Sequence, residues 1–252
     1  MPPINTHIYM HPEHSQHSIL SPVSTVPFPR DPDFVTQGTI LDKIDQKIAQ
    51  NNPGSGSRFA LVGLGGIGWV LLKKWSRSIK CLTNERKSQL AIEYTYRIRD
   101  RSPETWILWV HSSSAVRFQQ SCREIVDRLD IPSRQTTNAN IFELFRRWLQ
   151  YSGTPWVLVL DSLDDDDFLH RMSPPEKRER KSDSSGTVKS PIWDFFRHTL
   201  PGSILITSRS KRVALRLVEE ADIFVVEPMD AASATALLKK KLGPEIEKRE
   251  KK

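Results

Sequence analysis

Apolar residues follow two patterns along this chain. The first is a set of short unbroken runs: RFALVGL at 58–64, TWILWV at 105–110, PWVLVLD at 155–161, SILITSR at 203–209 and DIFVVEP at 222–228. Runs this short, rich in Val, Ile, Leu and Trp, predict strands buried on both faces. The second has a helical period. Ile40, Ile44 and Ile48, with Leu41 beside them, predict an amphipathic helix over 39–50, and NNPGSGS at 51–57 breaks it. KSQLAIEYTYRI at 87–98 and residues 116–129 and 139–151 read as helices, and DAASATALLKKKL at 230–242 closes the pattern with another. Continuous apolar strands alternating with helices predict an α/β fold, a parallel sheet covered by helices on both faces.

Three stretches interrupt that rhythm. Residues 1–33, rich in His, Pro and Ser and without a period, read as a flexible leader ahead of a domain at 34–243. Four histidines fall there (His7, His11, His14, His17), with neither Cys nor scaffold to make a metal site of them. Residues 172–190 (MSPPEKRERKSDSSGTVKS) read as a flexible loop, and 244–252 as a charged tail. The third stretch, 69–86, is taken up below. There is no internal repeat.

Charge changes the picture less than its total suggests. The chain has 252 residues, with 37 Lys and Arg against 30 Asp and Glu, a formal charge of +7. Residues 69–86 carry +4 and residues 239–252 another +4, so +7 less these two leaves the remainder at −1. Nucleic-acid binding needs basic residues gathered on a folded face, and this distribution disfavours it. No run approaches the roughly 18 apolar residues of a membrane span, and no secretory signal opens the chain. Two cysteines, Cys81 and Cys122, fit a reducing, cytoplasmic setting rather than a disulfide scaffold.

The chemistry begins where the first strand ends. Gly63, Gly65, Gly66 and Gly68 follow it, and glycines let backbone N–H groups converge on an anion at a helix N-terminus. A P-loop also needs Lys and then Ser or Thr directly after its last glycine. Trp69 stands there, yet Lys87 and Ser88 open a helix 18 residues further on. Without 69–86 the text reads GLGGIGKSQLAIEY, a full G-x-x-x-x-G-K-S match. Downstream, Asp161 ends a strand where a magnesium acid belongs, and Asp164 and Asp165 lie where an attacking water is oriented or deprotonated. Arg209 ends the next strand within range of a terminal phosphate. The plainer readings are acids capping a strand–loop junction and a surface arginine. The order of glycine loop, acid and arginine favours the nucleotide site.

The segments VPFPRDPDFV, GLGGIG with KSQLAIEY, WILWVHSSS, WVLVLDSLDD and GSILITSR, in that order, resemble the NB-ARC/NACHT-type STAND P-loop NTPases of filamentous fungi, over residues 26–243. The resemblance implies a P-loop NTPase-type parallel sheet, ADP or ATP with Mg2+ as cofactors, and a switch in which exchange of ADP for ATP permits homo-oligomerisation and signalling. It makes Gly63, Gly65, Gly66, Gly68, Lys87 and Ser88 the Walker A motif, Ser88 and Asp161 the metal ligands, and Arg209 the sensor. Phe34 and Val35 fall where such proteins pack on adenine. There are departures. Walker A is split, Ser162 replaces a second acid after Asp161, and no Gly-x-Pro motif, winged helix or repeat array follows before Lys252.

The interruption is expected to reduce nucleotide affinity severely, because it leaves the chain between the last glycine and the lysine. Hydrolysis is then expected to be weak or absent. Apolar Trp69, Leu72 and Ile79 give the segment the look of a cationic amphipathic helix suited to a membrane surface. Its length of 18 codons and its perfectly joining flanks read better as a retained intron. Two alternatives stay open. Gly63, Gly65 and Gly68 literally fit the dinucleotide fingerprint G-x-G-x-x-G, with Glu85 near the count for its ribose acid. A non-catalytic pseudo-NTPase interaction module would share the fold without turnover. No G-x-S-x-G elbow supports hydrolase chemistry.

Overall fold

A computed structural model of the chain describes residues 21–34, 40–50, 56–63, 86–132, 134, 140–165, 202–227 and 240. In chain order the elements are α1 (Ile40–Gln50), β1 (Arg58–Val62), α2 (Arg86–Arg101), β2 (Trp106–His111), α3 (Ala115–Arg128), α4 (Ile141–Tyr151), β3 (Trp156–Asp161), β4 (Ser203–Ser208), α5 (Lys211–Ala214), a 3-10 turn (Glu220–Asp222) and β5 (Ile223–Val225). The strands form one sheet in the order β2-β3-β4-β1-β5, every pair parallel. The predicted α/β architecture is therefore present, and the element bounds differ from expectation by a few residues at most.

The period of two in a strand sorts the apolar runs into two cores. Ala60, Val62, Leu108, Val110, Leu158, Leu160, Ile204 and Ile206 share one cluster with Phe118, Cys122 and Ile125 of α3, Phe145 and Leu149 of α4, and Val213 of α5. Phe59, Leu61, Trp109, Val157, Val159 and Leu205 share the other with Leu41 and Ile44 of α1 and Leu90, Ala91 and Tyr94 of α2. Helices thus cover both faces, and this explains why the strand runs show no polar alternation. Local chemistry starts the helices. Ser114 accepts from Arg117 N and Asn140 from Glu143 N, each capping a helix N-terminus. Burial pushes the Cys122 thiol well above its ordinary value, which makes it a packing group rather than a nucleophile.

The expected leader over 1–33 needs correction in its last third. Thr25 N donates to Ile107 O at 2.9 Å and Ile107 N to Val23 O at 3.0 Å, so residues 23–25 lie along the outer edge of β2. Pairing an otherwise open strand edge compensates for the segment's lack of apolar period. Further on, Arg30 grips Glu93 of α2 through two hydrogen bonds of 2.9 and 2.8 Å and reaches Asp100 at 2.8 Å. The folded unit therefore begins before residue 34. The closing strand also proves shorter than DIFVVEP, with the 3-10 turn taking up Asp222, and α5 has no counterpart in the apolar pattern. Residues 1–20 with their histidines, Val35, most of NNPGSGS, Gly65, Gly66, Gly68, residues 69–85, the 172–190 loop, nearly all of 230–242 and the tail lie outside the described residues.

Two outcomes check this packing. A Cβ at Gly202 would stand 2.1 Å from the buried Trp156 ring. Gly202→Ala should therefore cost about 1–3 kcal/mol in urea unfolding, and Gly202→Ser should be no better tolerated. Burial favours the protonated Glu93 carboxyl, but hydrogen bonds from Arg30 and Arg97 outweigh it and hold the group below the usual carboxylate range. A depressed folded value stabilises above the unfolded value and loses that stability as acid protonates the group. Arg30→Ala should accordingly lower the unfolding midpoint at neutral pH, and the deficit should shrink as pH falls through the carboxylate range.

Candidate functional site

Odd-numbered strand positions point to the face that α2 covers, so Gly63, Asp161 and Thr207 all arrive on that side at the C-terminal ends of β1, β3 and β4. The sheet order makes those strands neighbours, with β4 between β1 and β3. In α2 the buried positions Ser88, Ala91, Ile92 and Thr95 form one stripe against the sheet. That stripe turns the first helical turn inward, directly over the strand ends.

The two halves of the interrupted loop meet there. Lys87 Nζ donates to Gly63 O at 3.0 Å, and Ser88 Oγ donates to Asp161 Oδ1 at 2.7 Å. Lys87, Ser88 and Asp161 are all buried. Gly63 is held close by the β5 side. Val226 N donates to Val62 O at 2.7 Å, and a Cβ on Gly63 would lie 2.6 Å from Val226 O. Only glycine fits that approach. The first turn of α2 has no acidic residue and begins Arg86-Lys87. A helix N-terminus, with its unshared N–H groups, favours an anion in such a place.

Asp161 is fixed from several directions. Thr207 Oγ1 donates to Asp161 Oδ1 at 2.8 Å and accepts from Ser162 N at 2.8 Å. His111 Nδ1 stands 3.8 Å from Asp161 Oδ2. Ser162, directly after the acid, has φ 61, a left-handed conformation that costs a non-glycine residue on the order of 1 kcal/mol. One step further, Asp164 takes both the Arg209 backbone N–H (2.6 Å) and its Nε (2.5 Å). Arg209 thus lies along the loop after β3, while Asp165 is exposed.

A hydroxyl and a carboxylate are hard oxygen donors, and Mg2+ is characteristically bound by one or two such groups plus waters and phosphates. Ser88 and Asp161 fit that pattern. Among the described residues no three His, Cys, Asp or Glu gather into a metal cage. No helix among them is long and apolar enough to cross a membrane. Phe34 is half-buried against the core shared by α1 and α2, with its N–H on Asp31 O.

Sequence reasoning does not single out His111 or Thr207. His111 pairs in register with Asp161, a relation visible only once β2 and β3 are known to be neighbours. Thr207 shares its strand phase with Leu205 and needs the same knowledge.

The chain matches no protein-family model. It is 27% identical over 186 residues to a protein of Hyaloscypha variabilis (strain UAMH 11265 / GT02V1 / F) named nucleotide-binding leucine-rich repeat (NLR)-like protein. That match takes in 73% of this chain and 16% of the relative's own length. Among solved structures, Cdc6p of Pyrobaculum aerophilum superposes with a TM-score of 0.49 at 13% identity, over 83% of this chain and 52% of that one. A likeness of that degree decides nothing about function. The five-stranded parallel sheet is that of an α/β P-loop NTPase-type fold, and the motif order and the NLR-like relative support a nucleotide-binding domain similar to the NB-ARC/STAND kind.

The geometry predicts how Asp161 tolerates change. Asp161→Asn keeps an acceptor for the Ser88 and Thr207 hydroxyls and should alter unfolding free energy by no more than about 1 kcal/mol. Asp161→Leu deprives both buried hydroxyls of their acceptor and should cost about 2–5 kcal/mol. Urea titration of the two variants checks the contrast.

Proposed function

We propose that this chain is the nucleotide-binding domain of a STAND-type signalling switch that takes ADP or ATP with Mg2+, its affinity reduced by residues 69–86. One observation carries the reading: Lys87 and Ser88, remote in sequence from Gly63, lie against Gly63 O and Asp161. Lys87 would hold the β- and γ-phosphates as a point charge, with Gly65, Gly66 and Gly68 supplying backbone donors after Gly63, whose own N–H is donated to Ser208 O at 3.2 Å. Ser88 and Asp161 would hold the metal, which supplies charge neutralisation at the phosphates. Phe34 and Val35 would pack on the base.

Asp164 and Asp165 are the groups for orienting water, and Arg209 is the group for a terminal phosphate. Asp164 and Arg209 engage each other, so for either to serve a nucleotide this pair must open. That supports slow or absent turnover. The relative is named for nucleotide binding and leucine-rich repeats, which favours a signalling protein of which this domain is one part. Oligomerisation through the domain in its ATP form is the output this reading expects, in the cytoplasm. The dinucleotide-binding alternative has less support. In that fold the second strand lies beside the first, whereas here β4 and β5 flank β1.

Calorimetry with ADP tests the proposal. The chain without 69–86 should bind ADP at micromolar affinity or better, and the intact chain far more weakly. Lys87→Ala in the shortened chain should weaken binding by about 10–100-fold, the worth of a charge-assisted phosphate contact. Equal micromolar affinity with and without 69–86 would show that the interruption does no harm.

A further inference from the structure

The Thr207 hydroxyl occupies an unusual position. A hydroxyl has one hydrogen to give and two lone pairs. Thr207 gives its hydrogen to Asp161 Oδ1 at 2.8 Å and lends a lone pair to Ser162 N at 2.8 Å. It sits on β4, central in the sheet, fully buried, and as a β-branched residue it has a stiff side chain. The two groups it holds are adjacent in sequence and both need holding. Asp161 must present a fixed carboxylate at the strand end. Ser162 must keep φ 61 without being glycine, a conformation that surrounding structure has to impose.

Asp161 Oδ1 has a second donor, Ser88 Oγ at 2.7 Å. Ser88 sits in α2 beside Lys87, in the half of the site that meets the phosphates. It is itself a metal ligand in the reading above. Thr207 is therefore the hydroxyl anchoring the carboxylate to the sheet rather than to the moving parts of a binding site.

We propose that Thr207 is a positioning residue that aims the Asp161 carboxylate at Mg2+ and, through the same hydroxyl, locks the left-handed turn at Ser162. The inference rests on the nucleotide-and-magnesium reading for its metal half. Its turn half stands on the hydrogen-bond geometry alone. Valine keeps the shape of threonine without the hydroxyl, and serine keeps the hydroxyl without the methyl. Glycine at 162 removes the backbone strain, so it rescues the turn without restoring the aim.

The test uses the full chain and its Thr207→Val, Thr207→Ser and Thr207→Val/Ser162→Gly variants. Two quantities are read: amide hydrogen exchange across residues 160–164 without nucleotide, and ADP affinity with Mg2+ against affinity in EDTA, titrated to millimolar. Thr207→Val should speed exchange at the Ser162 amide by about tenfold or more, the loss of one buried hydrogen bond. It should shrink the Mg2+-dependent gain in ADP affinity by a similar factor while leaving affinity in EDTA within about twofold. Thr207→Ser should retain both properties. The double variant should fold like the parent and still lack the Mg2+ gain, which a merely structural threonine would not produce. The proposal is overturned if Thr207→Val keeps its Mg2+ gain, if the double variant regains it, or if Thr207→Ser behaves like the valine. Where the intact chain binds no ADP to millimolar, the same affinities are read in the chain without 69–86, and absence of binding there contradicts the nucleotide reading instead. Exchange then decides the turn half alone, and a Ser162 amide still protected in Thr207→Val overturns it.

Discussion

The hydrogen bond from Ser88 Oγ to Asp161 Oδ1 joins two parts of the molecule that the sequence keeps far apart. It fixes the first turn of α2 over the strand ends, and the rest of the site follows from that placement. Lys87 precedes Ser88 by one residue and so falls beside Gly63. The N-terminus of α2 then faces the crevice where β1, β4 and β3 end, the place where open parallel sheets characteristically bind ligands. Beneath it, the phase of three adjacent strands places Gly63, Thr207 and Asp161 on one face. Every strand of the sheet must be paired and in register for that to happen, so the apolar cores on its two faces are a condition of the chemistry as well as of stability.

The entropic cost of separating the glycine loop from Lys87 is modest. Closing a loop of 18 residues costs about 1.5RT ln 18, roughly 2.6 kcal/mol above a constant. That sum is too small to keep Lys87 from its position, and Lys87 is found at Gly63. The reduced affinity proposed above is therefore a steric expectation, drawn from the place of residues 69–86 in the sequence between the last glycine and Lys87. Assembly of the protein side of the site is therefore compatible with poor access for the ligand.

Much of this was legible in the sequence, for identifiable reasons. Strands buried on both faces announce themselves as unbroken apolar runs, and RFALV, WILWVH, WVLVLD and SILITS each became a strand. Asp161 and Lys87 were legible because their chemistry is tied to strand ends and glycine turns. What escaped was relational. His111 and Thr207 matter only because β2 and β4 flank β3, an order no local pattern carries. The docking of residues 21–33 escaped for a different reason. Its stability comes from backbone pairing to the β2 edge and from the Arg30–Glu93 contacts, neither of which leaves an apolar period. Val226, whose carbonyl makes Gly63 obligatory, directly follows a closing strand of three residues, too short to define its own register.

A crystal structure of the chain grown with ADP and Mn2+ measures the central claim most directly, because the metal scatters anomalously and marks its own site. The account predicts an anomalous peak between Ser88 Oγ and the Asp161 carboxylate, with the diphosphate at the N-terminus of α2 beside Lys87. A nucleotide bound elsewhere on the sheet, or Lys87 turned away from Gly63 with no metal at Ser88, would contradict it.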